Sequence, residues 1–223
     1  MSMIFALDLQ ETDGFTRSEL DNIVAFLKSV PANFHKLTDR KDTPTPDTVA
    51  FSAGAATLTS LTSAREYVST SVTVSDSANN DATLAAWNQW IDNNVAGFKH
   101  VLNDDLAKLL QTVRTSVIPT LPLPIQSYNT SLRIIYLTTA TRGTSLIEAQ
   151  GEATALQMFG GRIFVFAVGS ALSPLPQQTA LRQQVSTEVT YFRYFATAKL
   201  LTIDSLASDS NFQNYFCGPA PSN

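Results

Sequence analysis

The chain predicts an α/β fold, a three-layer, doubly wound and mostly parallel central sheet flanked by helices on both faces. Three observations carry that expectation. The segments Met3-Ile-Phe-Ala-Leu7, Leu132-Arg-Ile-Ile-Tyr-Leu-Thr138 and Arg162-Ile-Phe-Val-Phe-Ala-Val168 are near-continuous apolar runs, the pattern of parallel strands buried on both faces. Segments of helical spacing separate them, as crossovers between parallel strands require. The first run ends in Asp8, Gln10, Glu11 and Thr12, polar groups at the carboxyl end of a strand, where open α/β sheets place their ligand sites.

Taken in order, Thr16-Arg-Ser-Glu19 has the form of a capping box, in which each end of the motif satisfies a backbone N–H of the other. Leu20, Ile23, Val24, Phe26 and Leu27 then recur at helical spacing, so residues 16–30 are expected to form an amphipathic helix that Pro31 stops. Residues 38–48 hold Pro44 and Pro46 among charges and read as a loop. Val49-Ala-Phe-Ser-Ala53 reads as a short strand ended by Gly54, and Tyr67 to Val74 as an edge strand. The turn cluster Asp76 to Asp81 precedes a helical pattern from Thr83 to Asn93, with Trp87 and Trp90 three apart on one face. Core packing is the expected role of that pair, and a ligand platform is the alternative.

A long helix is expected from Val95 to Val117, ended by Pro119, Pro122 and Pro124, since proline lacks the N–H and clashes with the preceding turn. Residues 145–159 return to helical spacing before Gly160-Gly161, and 177–188 do so again. Tyr191 to Ala196 reads as the last strand, with Tyr191-Phe-Arg-Tyr-Phe195 expected mostly in the core, and Leu200 to Phe216 as one closing helix. A single domain over residues 1–217, with a tail at 218–223, accounts for the whole.

Composition excludes several classes. Apolar residues make up 44% of the chain and charged ones 15%, so a large core forms and a disordered chain is ruled out. The net charge is −4, and the 15 Lys and Arg residues are scattered, without the basic footprint that nucleic acid demands. The apolar runs fall short of the roughly 20 residues that span a bilayer. No signal peptide is expected, because the N-terminus lacks a basic region and a cleavage site. Cys217 is the only cysteine, which leaves it to pair with a neighbouring domain if it pairs at all.

Motifs of catalysis are missing. The two histidines, His35 and His100, do not follow expected strands, and there is neither a Gly-x-Ser-x-Gly elbow nor a His-Glu-x-x-His helix. Gly160-Gly161 precedes a strand instead of linking a strand to a helix, the reverse of a dinucleotide-binding turn. Asn129-Thr130-Ser131 is a sequon, weak support for a secreted or extracellular location.

One constellation remains. A strand ending in Asp8, a helix, a short strand at Val49–Ala53, a loop leading to Asp81-Ala-Thr83-Leu-Ala-Ala-Trp87, then Ile134-Ile-Tyr-Leu-Thr-Thr139 and Ile163-Phe-Val-Phe-Ala-Val-Gly169 follow one another. In this order and pattern the chain resembles a von Willebrand factor type A (vWA) domain over nearly its whole length. The resemblance implies a metal-ion-dependent adhesion site made of an Asp-x-Ser-x-Ser run, a loop threonine and a second Asp after the fourth strand. Asp8 matches the first Asp, Gln10 and Thr12 stand where the serines would be, Thr83 matches the loop threonine, and Thr139 stands where the second Asp would be.

Asp8, Thr12 and Thr83 thus form a degenerate metal site. Mg²⁺ takes near-octahedral oxygen ligands and is held by one or two carboxylates plus neutral oxygens, so a lone Asp8 implies weak or absent binding of Mg²⁺ or Ca²⁺ and no other cofactor. The role this implies is a non-enzymatic protein-interaction or adhesion module, with Gln10, Glu11, Thr12, Thr83, Thr139 and Arg142 as partner contacts. Arg142 is expected to take an acidic group of the partner directly. Three alternatives stand beside it: a cation site rebuilt with Asp76 or Asp81, a structural domain of a larger secreted protein binding its own neighbours, and a small-molecule α/β enzyme using the same crevice.

Overall fold

In the computed structural model the described residues are 2–9, 15–38, 48–57, 66–75, 79–96, 106–120, 132–139, 146–158, 161–185 and 190–217. Six strands, β1 (Ser2–Asp8), β2 (Thr48–Thr57), β3 (Glu66–Ser75), β4 (Leu132–Thr138), β5 (Gly161–Val168) and β6 (Thr190–Phe195), lie in one sheet in the order β3-β2-β1-β4-β5-β6. β1 runs parallel to both β2 and β4, and β4, β5 and β6 continue the parallel array. Only β3 is antiparallel, pairing with β2 at the edge. The helices are α1 (Arg17–Thr38), α2 (Asp81–Ile91), α3 (Leu106–Thr112), α4 (Leu146–Met158), α5 (Leu175–Val185), α6 (Ile203–Ala207) and α7 (Ser210–Cys217).

Strand alternation sorts the core into two layers. Met3, Phe5 and Leu7 join Ile135, Leu137, Phe164 and Phe166 beneath α1, α2, α6 and α7. Ile4 and Ala6 join Ile134, Tyr136, Ile163 and Val165 beneath α3, α4 and α5. Covering both faces is what makes β4 and β5 buried at every residue, and it explains why these strands read as unbroken apolar runs. No helix among the described residues is long and apolar enough to cross a membrane.

Several element boundaries differ from the sequence expectation. α1 continues through Pro31 to Thr38, with its break in helical geometry at Asn33 (φ −129°, ψ 18°). Pro31 lacks the N–H that would bond the Leu27 carbonyl four residues back, and Trp87 Nε1 on α2 donates to that buried carbonyl at 2.9 Å. Val30, Phe34 and Leu37 carry the apolar stripe past the proline and are buried, so packing holds the second half in place. Trp87 is therefore a core residue, tilted against Phe5 at 6.2 Å between ring centroids.

The capping box forms by half: the Glu19 N–H donates to Thr16 Oγ1 at 3.4 Å, while the Glu19 carboxylate accepts from the Ala198 N–H. β2 runs past Gly54 to Thr57. The closing helix is two helices, because Asp209 Oδ1 accepts from the N–H groups of Asn211 at 2.9 Å and Phe212 at 3.0 Å and caps α7 afresh. Of the aromatic segment on β6 only Phe195 is buried; residues 191–194 are half-buried, because β6 is the outermost strand of the sheet. The sequon, His100 and the tail at 218–223 lie outside the described residues.

Candidate functional site at the end of β1

Asp8 ends β1 and sits beside Thr138 in the β4 register, with Ala6 beside Tyr136 one step below. Alternation carries its side chain onto the Ile4 and Ala6 face. There the residue is 3% exposed. A buried carboxyl needs hydrogen-bond partners, and two hydroxyls on β4 provide them. Tyr136 Oη donates to Asp8 Oδ2 at 2.7 Å, and Thr138 Oγ1 makes a longer contact to the same oxygen at 3.4 Å. The Thr139 N–H donates to the Asp8 carbonyl at 3.2 Å, extending the pairing of β1 and β4 by one step to the rim. Tyr136, Thr138 and Thr139 are all buried.

Tyr136 and Thr138 were not singled out from the sequence. The available signal was a phenol inside an otherwise aliphatic buried strand, since a buried tyrosine hydroxyl ordinarily finds a partner. Thr139, expected as a partner contact, is fully buried and presents no surface. Thr83 lies in the first turn of α2 and is half-buried. Its helix packs through Trp87 on the Phe5 face of the sheet, the face opposite to the Asp8 carboxyl. Asp81 is exposed at the start of the same helix, where the partial positive charge of the helix terminus favours an acid. Gln10, Glu11, Thr12, Asp76 and Arg142 lie outside the described residues.

The described part of the site does not fit a tightly held divalent cation. It supplies one carboxyl group, and that group's Oδ2 already receives two hydroxyl protons, whereas an ion of this kind seeks open oxygen lone pairs and usually a second charge. No group of three or more His, Cys, Asp or Glu among the described residues is placed to hold a metal ion. His35 is exposed on α1. A groove of about 300 Å³ lies away from Asp8, between α1 and the 198–204 segment, with Phe26, Leu201 and Ile203 along it. Lys36 and Asp204 pair across that groove at 3.0 Å.

A further feature of the rim follows β5. Gly169 takes φ +104°, a left-handed conformation that glycine adopts without steric cost, and turns the chain into Ser173-Pro-Leu-Pro176, exposed throughout. Leu175 is 73% exposed there. It opens α5, after the turn that leaves the carboxyl end of β5, and an apolar residue between two prolines was its signal in the sequence.

No protein-family model matches the sequence, and no curated protein does. Solved structures do match its fold. Proximal thread matrix protein 1 from the mussel byssus, in a structure with a zinc-occupied MIDAS motif, superposes with a TM-score of 0.59 at 14% identity over 98% of this chain. The chain spans 47% of that protein's length, about half. The VWA domain of SpRpn10 superposes with a TM-score of 0.52 at 12% identity, covering 94% of each chain. A sheet in the order β3-β2-β1-β4-β5-β6 with an antiparallel edge and helices on both faces agree with those likenesses: the chain is a domain of von Willebrand factor type A fold.

Proposed function

We propose that this domain is a non-enzymatic protein-interaction module that engages its partner with the rim at the carboxyl ends of β1, β4 and β5, without a resident cation. The observation that carries this reading is the closure of the Asp8 carboxyl by Tyr136 and Thr138. An acid whose Oδ2 is already engaged by internal hydroxyls stabilises the rim instead of bridging to a partner through a metal. Recognition then falls to loops placed by a rigid sheet, with Gln10, Glu11, Thr12, Thr83 and Arg142 as contacts, and Leu175 added as an exposed apolar one. A thread matrix protein among the fold neighbours supports adhesion or assembly in an extracellular setting as the context.

Photo-crosslinking residues placed at Leu175 and Thr83, and at exposed Met158 at the far end of α4 as the control, test the surface. Adducts with the same protein from the two rim positions, retained in EDTA, are the expected result; adducts from position 158 alone would overturn the assignment. The zinc-bearing neighbour favours the rival in which a cation sits at Asp8. Calorimetric titration with Mg²⁺, Mn²⁺, Ca²⁺ and Zn²⁺ decides between them, and saturable micromolar binding lost in Asp8→Asn establishes the rival.

A further inference from the structure

We infer that the outer edge of β3 pairs with β3 of a second copy of this chain, antiparallel about a two-fold axis at Thr70, so that two sheets join into one. β3 ends the sheet, and among the described residues no strand lies beyond it. Its ten residues pair with β2 in unbroken register, from Thr57 beside Glu66 to Thr48 beside Ser75, so no bulge turns the edge away from an incoming strand. A terminal strand offers a row of backbone N–H and C=O groups to any strand that approaches, and proteins ordinarily guard it with short length, lysine, proline or a bulge. β3 carries none of these. From Tyr67 to Ser75 it holds no charge, proline or glycine, and Val68, Thr70, Val72, Thr73 and Val74 are β-branched, the residues that fit a pleated ladder. The opposite edge is guarded: β6 is six residues long and carries Arg193.

The symmetry of the strand itself selects a second copy over a foreign strand. Antiparallel pairing about Thr70 sets Thr70 opposite Thr70, Ser69 opposite Ser71, Val68 opposite Val72 and Tyr67 opposite Thr73. Hydroxyl residues meet hydroxyl residues and valine meets valine, pairs that stabilise antiparallel ladders. Glu66, the only charge in the strand, falls opposite Val74, so no like charges oppose each other. The pairing also fixes where the rims point. β2 runs parallel to β1 and β3 antiparallel to β2, so the junction sets the β1 strands of the two copies in opposite directions, and their rims open at opposite ends of the joined sheet. On the interaction reading above, the dimer is a connector that holds two partners; the junction itself does not depend on that reading.

Analytical ultracentrifugation of the unmodified chain, with disulfide trapping in a Cys217→Ser background, tests the junction. A concentration-dependent equilibrium of monomer and dimer is expected. Thr70→Cys, on the axis, is expected to form a covalent dimer on oxidation. Ser75→Cys is not, because Ser75 stands five residues from the axis in each copy, about 34 Å from its mate. Thr70→Lys brings two like charges together on the axis and is expected to weaken the dimer about tenfold, while Met158→Lys at the exposed end of α4 leaves it unchanged. Circular dichroism confirms the fold of each variant. A chain that stays monomeric at high micromolar concentration overturns the junction, as does a dimer that traps through Ser75→Cys and not Thr70→Cys, or one that Thr70→Lys leaves intact. Should Thr70→Lys not fold, trapping decides alone: a Thr70→Cys dimer supports the junction and its absence overturns it. Partner adducts at the rim of a strictly monomeric chain would sink the junction and spare the interaction reading, and a trapped dimer without rim adducts would do the reverse.

Discussion

Replacing Trp87 by Phe is expected to expose a dependence on a residue in another helix, Pro31. The Leu27 carbonyl is buried, Pro31 offers it no N–H, and Trp87 Nε1 reaches it at 2.9 Å. Trp87→Phe removes that donor, and a buried acceptor left without one costs about 1–3 kcal/mol. The smaller ring also leaves a void beside Phe5, adding roughly 24 cal/mol for each Å³ that does not collapse. Pro31→Ala restores an N–H four residues after Leu27, in the position of an ordinary helical bond. In that background only the void term remains, so Trp87→Phe should cost about 1–3 kcal/mol less than it does with Pro31 present. Urea denaturation of the four proteins of the cycle measures this, read from midpoints at constant slope. Distant, independent sites add to within about 0.5 kcal/mol. A coupling smaller than that would show that the indole does not stand in for the missing backbone donor.

Asp209 joins β6 to the start of α7: Tyr191 Oη donates to its Oδ2 at 2.7 Å and Arg193 at 2.9 Å, while Oδ1 caps the helix. Burial raises its pKa, but the bonds from Tyr191 and the Phe212 N–H and the Arg193 charge outweigh it and hold the acid below its usual value of 3.8. Its contribution is therefore fully present above the unfolded value and lost as pH falls through the lower folded one. Asp209→Ala should flatten the fall in stability below about pH 4, measured by urea midpoints across pH, and should cost about 1 kcal/mol at neutral pH as a lost cap. Gly169→Ala meets no steric obstacle, since an added Cβ would come no closer than 3.9 Å to Phe15. The φ of +104° with ψ of 160° nevertheless disfavours a side chain by about 1–3 kcal/mol, which should lower the melting temperature by about 2–12 °C. Gly161→Ala would place its Cβ 2.8 Å from the Leu156 carbonyl oxygen, with Ile134 and Leu132 also close; it should destabilise more than Gly169→Ala, and equal melting temperatures would contradict the contact.

The fold was legible because its signal is long-range and redundant. β4 and β5 are buried on both faces and are written mostly in apolar residues; the strand expected at Leu132–Thr138 is the strand observed. Helix ends were less legible, and for a physical reason. Pro31 is a stop signal by its local chemistry, but the burial of Phe34 and Leu37 and a donor from α2 override it. Asp209 was hidden inside an apparently continuous helical pattern, because the pattern does not distinguish one helix from two that share a buried face. At the site, Asp8 was legible from its position at the end of a strand. Tyr136 was not, since on periodicity alone a tyrosine within an apolar strand is indistinguishable from a packing residue.

These misses share a cause that bears on how the domain is built. Leu27 lacks its helical donor, Asp8 ends a covered strand, and Asp209 stands at the break between two helices. Each is an acceptor whose position in the fold separates it from the usual partner, and each is met by an aromatic side chain with a polar tip: Trp87, Tyr136 and Tyr191. Such residues fill apolar volume and deliver one directed donor at its edge; at Leu27 and Asp8 the donor is neutral, while at Asp209 the Arg193 guanidinium joins it. A cationic side chain at Asp8 would have left the acid as half of an ion pair; a phenol meets it with a neutral donor instead, so the end of β1 is tied to β4 without a second charge.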